Sequence, residues 1–268
     1  MDRKEQTPQP GSLACLPRDD LQEKTGIITG AGSGIGWATA LYLGRLGCRL
    51  VLADLKLSAL EELAGEMDRL EAAPPLCLEV DVSKREQVES LVQQARRHLG
   101  RIDFLVTCAG ILSRAGLLEV EPEEWDRVME VNLKGVFLCC KAVAPVMVEQ
   151  GSGSIVNVAS IAGRTPAILG GAAYTASKHG VVGLSRHMAR ELGPRGVRVN
   201  AFCPGATYTP MVYENTTAEE RAPLEAATPL RRWAEPDEQA AAIAFLVSDD
   251  SSFITGACLD SNGGALMI

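Results

Sequence analysis

None of the eight cysteines in this 268-residue chain lies in a Cys-x-x-Cys pair. Several, among them Cys48, Cys77, Cys139 and Cys203, sit inside apolar runs as small core residues do. That placement argues against a disulfide framework and against a zinc site. Positive charge is also short, with 26 Lys and Arg against 34 Asp and Glu and a formal net charge of −8. With no basic cluster, the chain lacks the electrostatic footprint of a nucleic-acid or anionic-membrane partner. No window approaches ~18 uninterrupted apolar residues, and residues 1–10 lack the apolar core of a secretion signal. Together these features place the chain in a cytoplasmic, reducing compartment. There are three histidines, His98, His179 and His187; all fall in helical segments as surface or packing residues, and no metal site is expected. Repeats, low-complexity tracts and interdomain linkers are missing too.

What is present is a globular composition, 46% hydrophobic and 22% charged, on a chain long enough to bury a sizeable core. Residues 1–23 are polar, Pro-bearing and without period, which predicts a loosely ordered tail. From Lys24 onward, apolar runs of strand length (26–29, 49–53, 76–80, 102–106, 154–159 and 197–202) alternate with segments of helical period. Val88, Leu91, Val92, Ala95 and Leu99, closed by Gly100, form one such segment. Continuously apolar strands between helices predict an α/β fold of the doubly wound (Rossmann) kind over 24–268, a single parallel sheet with helices on both faces. Such sheets bind ligands outside the carboxyl ends of their strands. Gly30, Asp54, Asp81, Ala109, Gly110, Ser160, Pro204 and Gly205 all follow directly after one of the runs.

Two stretches carry chemistry. In the first, the 154–159 strand delivers Ser160, and a helix after it begins near Tyr174 with Lys178 one turn on, so phenol and amine share a face. A free phenol titrates near ~10, and a neighbouring ammonium lowers that value. Tyr174 can then exchange a proton with a substrate oxygen that Ser160 also holds. In the second, Gly30, Ser33, Gly34, Ile35 and Gly36 lie in a glycine-rich turn between the first strand and a helix, the arrangement that seats a pyrophosphate at a helix N-terminus. Asp54 ends the next strand at the offset of an acid that bonds an adenosine ribose. Its charge would repel a 2′-phosphate, so NAD is the expected cofactor; the alternative is that Asp54 caps the helix near Lys56. Asp81, beside Val82, is placed to meet the adenine edge if Ser83 to Glu86 form the capping box of the following helix. Asn132 lies on an apolar face of a long helix over 122–149, where it either ties down neighbouring backbone or holds a water that relays protons to Lys178.

Taken together, these residues resemble the classical short-chain dehydrogenase/reductase family. The marks are Thr29-Gly-x-x-x-Gly-Ile-Gly36, Asp81, Ala109-Gly110, Asn132, Ser160, Tyr174-x-x-x-Lys178, and Pro204-Gly205 with Thr209. The resemblance implies a catalytic tetrad of Asn132, Ser160, Tyr174 and Lys178. It implies cofactor contacts from Cys108, Ala109, Gly110, Pro204, Gly205, Thr207 and Thr209 as well as from Tyr174 and Lys178. It also implies a homotetramer built through the long helices over 122–149 and 173–193. Three departures stand out: Thr107-Cys108 where the family has two asparagines, leaving Cys108 a candidate for oxidation; one extra residue between Ser160 and Tyr174; and Asn262 in place of an Asp. The expected reaction is reversible hydride transfer between NAD(H) and a secondary alcohol or ketone, with the pocket residues mixed enough to leave steroid, sugar and acyl thioester open. The alternatives are a 3-oxoacyl thioester reductase using NADP(H) and a non-catalytic dinucleotide sensor. Residues 206–230 are expected to form a mobile lid, with Leu112, Ser113, Arg114, Ile161, Arg164, Leu169 and Met211 as candidate pocket residues.

Overall fold

A computed structural model describes residues 19–268, so most of the expected tail over 1–23 lies outside the described residues. Its last residues do not. Leu21, in a short 3-10 turn over Asp19–Leu21, is fully buried. Its carbonyl accepts the Cys48 thiol at 3.2 Å, and the Glu23 amide bonds the Gly47 carbonyl at 3.0 Å. One apolar side chain with a core to enter outweighs its polar neighbours, and the packed unit therefore begins before Lys24.

Among the described residues seven strands form one sheet: β1 (Thr25–Thr29), β2 (Arg49–Asp54), β3 (Leu76–Glu79), β4 (Phe104–Thr107), β5 (Gly153–Val158), β6 (Val197–Pro204) and β7 (Cys258–Ser261). Every pairing is parallel, in the order β3-β2-β1-β4-β5-β6-β7. Strand order reverses between β1 and β4, and there the crevice of a doubly wound sheet opens. β7 is the strand that the pattern of runs does not predict: Cys-Leu-Asp-Ser is short, half-buried and lies on an edge. The helices are α1 (Gly34–Arg45), α2 (Leu57–Arg69), α3 (Arg85–Leu99), α4 (Pro122–Met129), α5 (Gly135–Gln150), α6 (Ala172–Leu192), α7 (Pro210–Asn215), α8 (Ala218–Ala227) and α9 (Pro236–Val247).

The strands read as unbroken apolar runs because both faces are covered. Ile27, Leu105, Ile155, Val199 and Ala201 point into a core shared with α3, α5 and α6. Their neighbours Ile28, Val106, Val156 and Phe202 point into a second core under α1, α2 and α9. This is the two-residue alternation of a pleated strand with water on neither side. Full burial of each such side chain contributes roughly 1.5–3 kcal/mol. The α3 residues singled out by period (Val88, Leu91, Val92, Ala95 and Leu99) are all buried, and Gly100 follows at φ 81°. The capping box expected at Ser83 does not form: α3 starts at Arg85, its N-cap is Lys84, and no side chain caps it. Instead Asp81 closes the preceding turn, its Oδ1 accepting the Ser83 amide at 2.9 Å, as a short acidic side chain does when it competes for backbone donors.

Nor is the stretch over 122–149 one regular helix. A π turn over Glu130–Lys134 separates α4 from α5. By length and hydropathy, Pro122–Gln150 could cross a membrane, yet half of its most apolar 18-residue window is buried inside the fold. The 206–230 segment folds into α7 and α8, the latter opened by a reciprocal capping box between Thr217 and Glu220. One strand-like bridge joins Thr207 to Ala234.

Gly26, in the middle of β1, shows how tight the sheet is: a Cβ there would stand 2.0 Å from the buried Phe104 ring. Gly26→Ala is expected to lower the unfolding free energy by about 1–3 kcal/mol through overpacking, read as a lower urea midpoint at an unchanged m value.

Candidate active site

β5 and α6 bring the first group of predicted residues together. Ser160 leaves β5 as the N-cap of a 3-10 turn over Ile161–Gly163, its Oγ accepting the Ala162 amide at 3.1 Å. The same hydroxyl is close enough to the Tyr174 phenol to favour its ionised form. One helical turn past Tyr174, the buried Lys178 ammonium donates to the Val158 carbonyl at 3.0 Å and lies 5.7 Å from the centre of the Tyr174 ring. Gly110 sits between the remaining members: a Cβ on it would stand 3.3 Å from Asn132 Oδ1 and 3.6 Å from Lys178 Nζ. The four expected catalytic residues therefore converge at the carboxyl edge of the sheet.

Asn132 occupies the π turn and is fully buried. Its side chain takes the first of the two roles considered for it. Oδ1 accepts the Ile111 amide at 2.8 Å, and Nδ2 donates to the Ile111 carbonyl at 2.9 Å and to Ser177 Oγ at 3.2 Å. Ser177, which no motif marks, also donates to the Tyr174 carbonyl at 2.8 Å. The side chain thus fixes the loop after β4 against the helix that carries Tyr174.

The titration of the pair differs from expectation. Burial pushes the Tyr174 phenol above its ordinary value, and the Ser160 hydrogen bond opposes that rise without cancelling it. The Lys178 ammonium is itself buried, donates to the Val158 carbonyl and is held down to about 8 by desolvation. Desolvation is the largest cause for both members.

The second group forms a cradle for a dinucleotide. Gly30 is at φ 66°, and a Cβ there would stand 2.5 Å from the Ala109 amide nitrogen. A Cβ on Gly36 would stand 2.1 Å from the Gly30 carbonyl oxygen. The turn can close only with glycine at both places. Ser33 is exposed at the N-cap of α1 and makes no side-chain cap there; Gly34 and Ile35 open the helix, half-buried. Gly34 faces the Thr209 side chain, whose methyl lies 3.1 Å from where its Cβ would be. Asp54 Oδ2 accepts the Gly32 amide at 2.9 Å while Oδ1 accepts the Lys56 amide at 3.1 Å. Asp54 therefore grips the glycine turn and the backbone before α2 together; the N-cap of α2 is Lys56, which makes no side-chain cap.

Val82 is buried against Gly135 at the start of α5. Cys108, Ala109 and Gly110 are half-buried after β4. Pro204 ends β6 and Gly205 follows it; Gly205 comes so close to Asn262 that a Cβ would stand 2.7 Å from its Cα. Thr207 Oγ1 donates to the Gly205 carbonyl at 3.1 Å and accepts Gln239 Nε2 at 3.2 Å, so this hydroxyl shapes the loop. A turn with glycine at 30, 32, 34 and 36, a helix N-terminus beside it and a carboxylate at the turn fit a nicotinamide dinucleotide.

Residues 30–265 match the family described as enoyl-(acyl carrier protein) reductase. The chain belongs to the classical short-chain dehydrogenase/reductase family. Among its relatives, the 3-oxoacyl-(acyl-carrier-protein) reductase of Thermotoga maritima is 40% identical over 250 residues, 92% of this chain and 99% of that protein. The levodione reductase of Leifsonia aquatica is 40% identical over 260 residues, with 92% and 96% covered. A crystal structure of levodione reductase superposes with a TM-score of 0.87 at 36% identity, covering 91% of this chain and 97% of that one. Family membership makes the protein an oxidoreductase of alcohol and ketone groups that uses a nicotinamide dinucleotide.

The departures from the family pattern have visible consequences. Thr107 Oγ1 donates to Asn157 Oδ1 at 3.0 Å inside the core. Burial pushes the Cys108 thiol up to about 12, against the opposing charge of Lys178, which makes it a poor nucleophile and a poor target for oxidation. In the lengthened loop, Gly170 lies against the Tyr174 ring, 2.6 Å from where its Cβ would be. Asn262 Oδ1 accepts the Gly264 amide at 3.0 Å and closes its own turn. Two expected pocket residues are paired: Arg164 with Asp260 at 3.0 Å, and Arg114 with Glu220 in α8. Ser113 is buried, while Leu112, Ile161, Leu169 and Met211 are half-buried.

Because the Lys178 ammonium titrates near 8 when folded and near ~10.4 when unfolded, its charge destabilises the fold below pH 8. That penalty fades as pH rises toward the unfolded value, where the lysine is neutral in both states. The unfolding free energy of the wild type, measured against Lys178→Met, is therefore expected to rise between pH 8 and 10.5 and to be flat between pH 6 and 7.

Proposed function

We propose that the protein is an NAD(H)-dependent dehydrogenase/reductase of a small secondary alcohol or ketone in which Tyr174 transfers the proton. The observation that carries the reading is the chain of neighbours from Ser160 to Tyr174, from Tyr174 to Lys178, and from Lys178 across Gly110 to Asn132, beside the glycine turn. Ser160 bonds the substrate oxygen and orients it toward the phenol. In the oxidative direction Tyr174 takes the hydroxyl proton; in the reductive direction it returns a proton to the carbonyl oxygen, and its raised pKa suits that donation. The Lys178 ammonium stabilises the phenolate as it forms and holds the helix in place through Val158. Asn132 keeps the Ile111 backbone, and with it the wall of the site, fixed. The bound nicotinamide supplies the acceptor or donor of the hydride.

NAD is the favoured dinucleotide because Asp54 is held by two backbone amides over the glycine turn, where a 2′-phosphate would meet a like charge. The 40% identity to a 3-oxoacyl-(acyl-carrier-protein) reductase supports a second reading, reduction of a 3-oxoacyl thioester with NADP(H). The acidic balance and Asp54 weigh against it. We further propose a cytoplasmic homotetramer. Phe137 is exposed on α5, and a cavity of about 700 Å³ along the same face is lined by Met129, Leu133, Phe137, Gly180 and Leu184 with Asp126, Glu130 and Lys134 at its side, a partly apolar surface on which a second copy can pack.

A panel of secondary alcohols, ketones and 3-oxoacyl thioesters, followed by nicotinamide absorbance with both cofactors, separates these readings. Small alcohols or ketones are expected to turn over with NAD(H) at least about tenfold more efficiently than with NADP(H), and Asp54→Ala to narrow that ratio. Tyr174→Phe is expected to cut kcat by about 10²–10⁴ while dinucleotide binding, read by fluorescence, stays as in the wild type. Turnover unchanged by that substitution would remove the mechanism.

A further inference from the structure

Arg114 lies in the loop between β4 and α4, far in sequence from α7 and α8, yet its guanidinium joins both lid helices. Its Nη2 donates to Glu220 Oε1 at 2.8 Å and its Nη1 to Glu220 Oε2 at 3.4 Å. Nη1 also donates to the carbonyl of Asn215, the last residue of α7. One planar fork thus spans the carbonyl end of one helix and the N-terminal turn of the next, a geometry that suits arginine and that a lysine point charge cannot reproduce. The Glu220 carboxyl is held below its ordinary range, first by Arg114 and then by the Thr217 amide.

The residues on either side of Arg114 are tied to the catalytic helix. The Ser113 carbonyl accepts the Gly171 amide at 2.7 Å, and the Ala115 carbonyl accepts the Ala172 amide at 3.1 Å. Those donors begin the turn that leads into Tyr174. Three residues upstream, Asn132 clamps both backbone groups of Ile111. The lid is therefore attached, through one side chain, to a loop that is itself pinned at the α6 N-terminus and at the π turn.

We infer that Arg114 and Glu220 form a positioning latch that holds the 206–230 lid over the substrate and couples its closure to the start of the helix bearing Tyr174. This inference rests on the reading of Tyr174 as the proton-transferring group and of 206–230 as the lid. Both partners are about two-fifths exposed, so the latch is weak enough to open in each catalytic cycle. A solvated pair of this kind shifts an equilibrium by a factor of about two to five.

Glu220 has a second duty that shapes the test. Its side chain accepts the Thr217 amide at 2.9 Å in the α8 capping box. Glutamine serves equally well in that position, so Glu220→Gln keeps the cap and removes only the charge toward Arg114. In Glu220→Gln and in Arg114→Met, hydrogen exchange of the amides over 210–227 is expected to quicken about two- to fivefold, with melting temperature close to wild type. The substrate KM is expected to rise by the same factor with kcat within twofold. The double variant is expected to behave as Arg114→Met alone, and Arg114→Lys to fall between that variant and the wild type. Unchanged lid exchange in both single variants overturns the latch whatever the activity. Faster exchange at an unchanged KM overturns its role in holding substrate, as does a loss confined to kcat. Tyr174→Phe keeps the latch, so its lid exchange stays at the wild-type rate, and failure of the proton-transfer reading is seen there independently.

Discussion

A buried ammonium needs a partner, and the arrangement of the site follows from how Lys178 finds one. Taking that charge out of water costs several kcal/mol, about 5, and its one hydrogen bond among the described residues is to the Val158 carbonyl. Val158 ends β5, and Ser160 comes two residues later. A bond from α6 to that carbonyl therefore fixes both the height and the rotation of the helix on the strand. Tyr174, one turn earlier on the same face, is carried to the Ser160 hydroxyl. Other contacts reinforce this register. Asn157, one residue before Val158, donates to Ser185 Oγ on α6 at 3.0 Å and accepts Thr107 Oγ1 from β4 and the Cys140 thiol from α5.

Carboxamides act as clamps throughout this region. Asn132 satisfies both backbone groups of Ile111, Asn157 ties two strands to two helices, and Gln239 holds Thr207 and the Ser261 carbonyl. Each is fully buried, and each joins a connecting segment or a strand to a helix at the carboxyl side of the sheet. The side-chain amide offers a donor and an acceptor together, which lets one residue satisfy both backbone groups of a loop that makes no ladder. The π turn serves the same end: widening the helix at Glu130–Lys134 redirects Asn132 from the helix face toward Ile111, in keeping with the concentration of such turns at functional sites.

Much of this was legible before any coordinates. Unbroken apolar runs marked six of the strands and the two-sided burial of the central ones, though the edge strand β3 is only half-buried; the glycine turn, Asp54 and the Tyr174–Lys178 spacing marked the sheet edge that matters. The misses share a cause. β7 is a short edge strand whose four residues carry too weak an alternation to stand out. Ser177 and the Val158 carbonyl act through groups that every serine and every residue possesses, so nothing in their identity announces a role. The Ser83 box and the two pocket arginines failed in the opposite way: the residue types were right, but nearer partners took them, Asp81 claiming the turn, Asp260 claiming Arg164 and Glu220 claiming Arg114.

Local order and chemical inventory were therefore written into the sequence alone. Periodicity follows from which side chains avoid water, and the motif residues are the few able to bind phosphate, ribose or a proton in transit. The titration of Tyr174 and Lys178, the clamp made by Asn132 and the bonds from Arg114 to α7 and α8 were decided only by the folded chain. Desolvation and hydrogen-bond competition depend on which groups end up adjacent, and those neighbours are separated by tens to more than a hundred residues along the backbone.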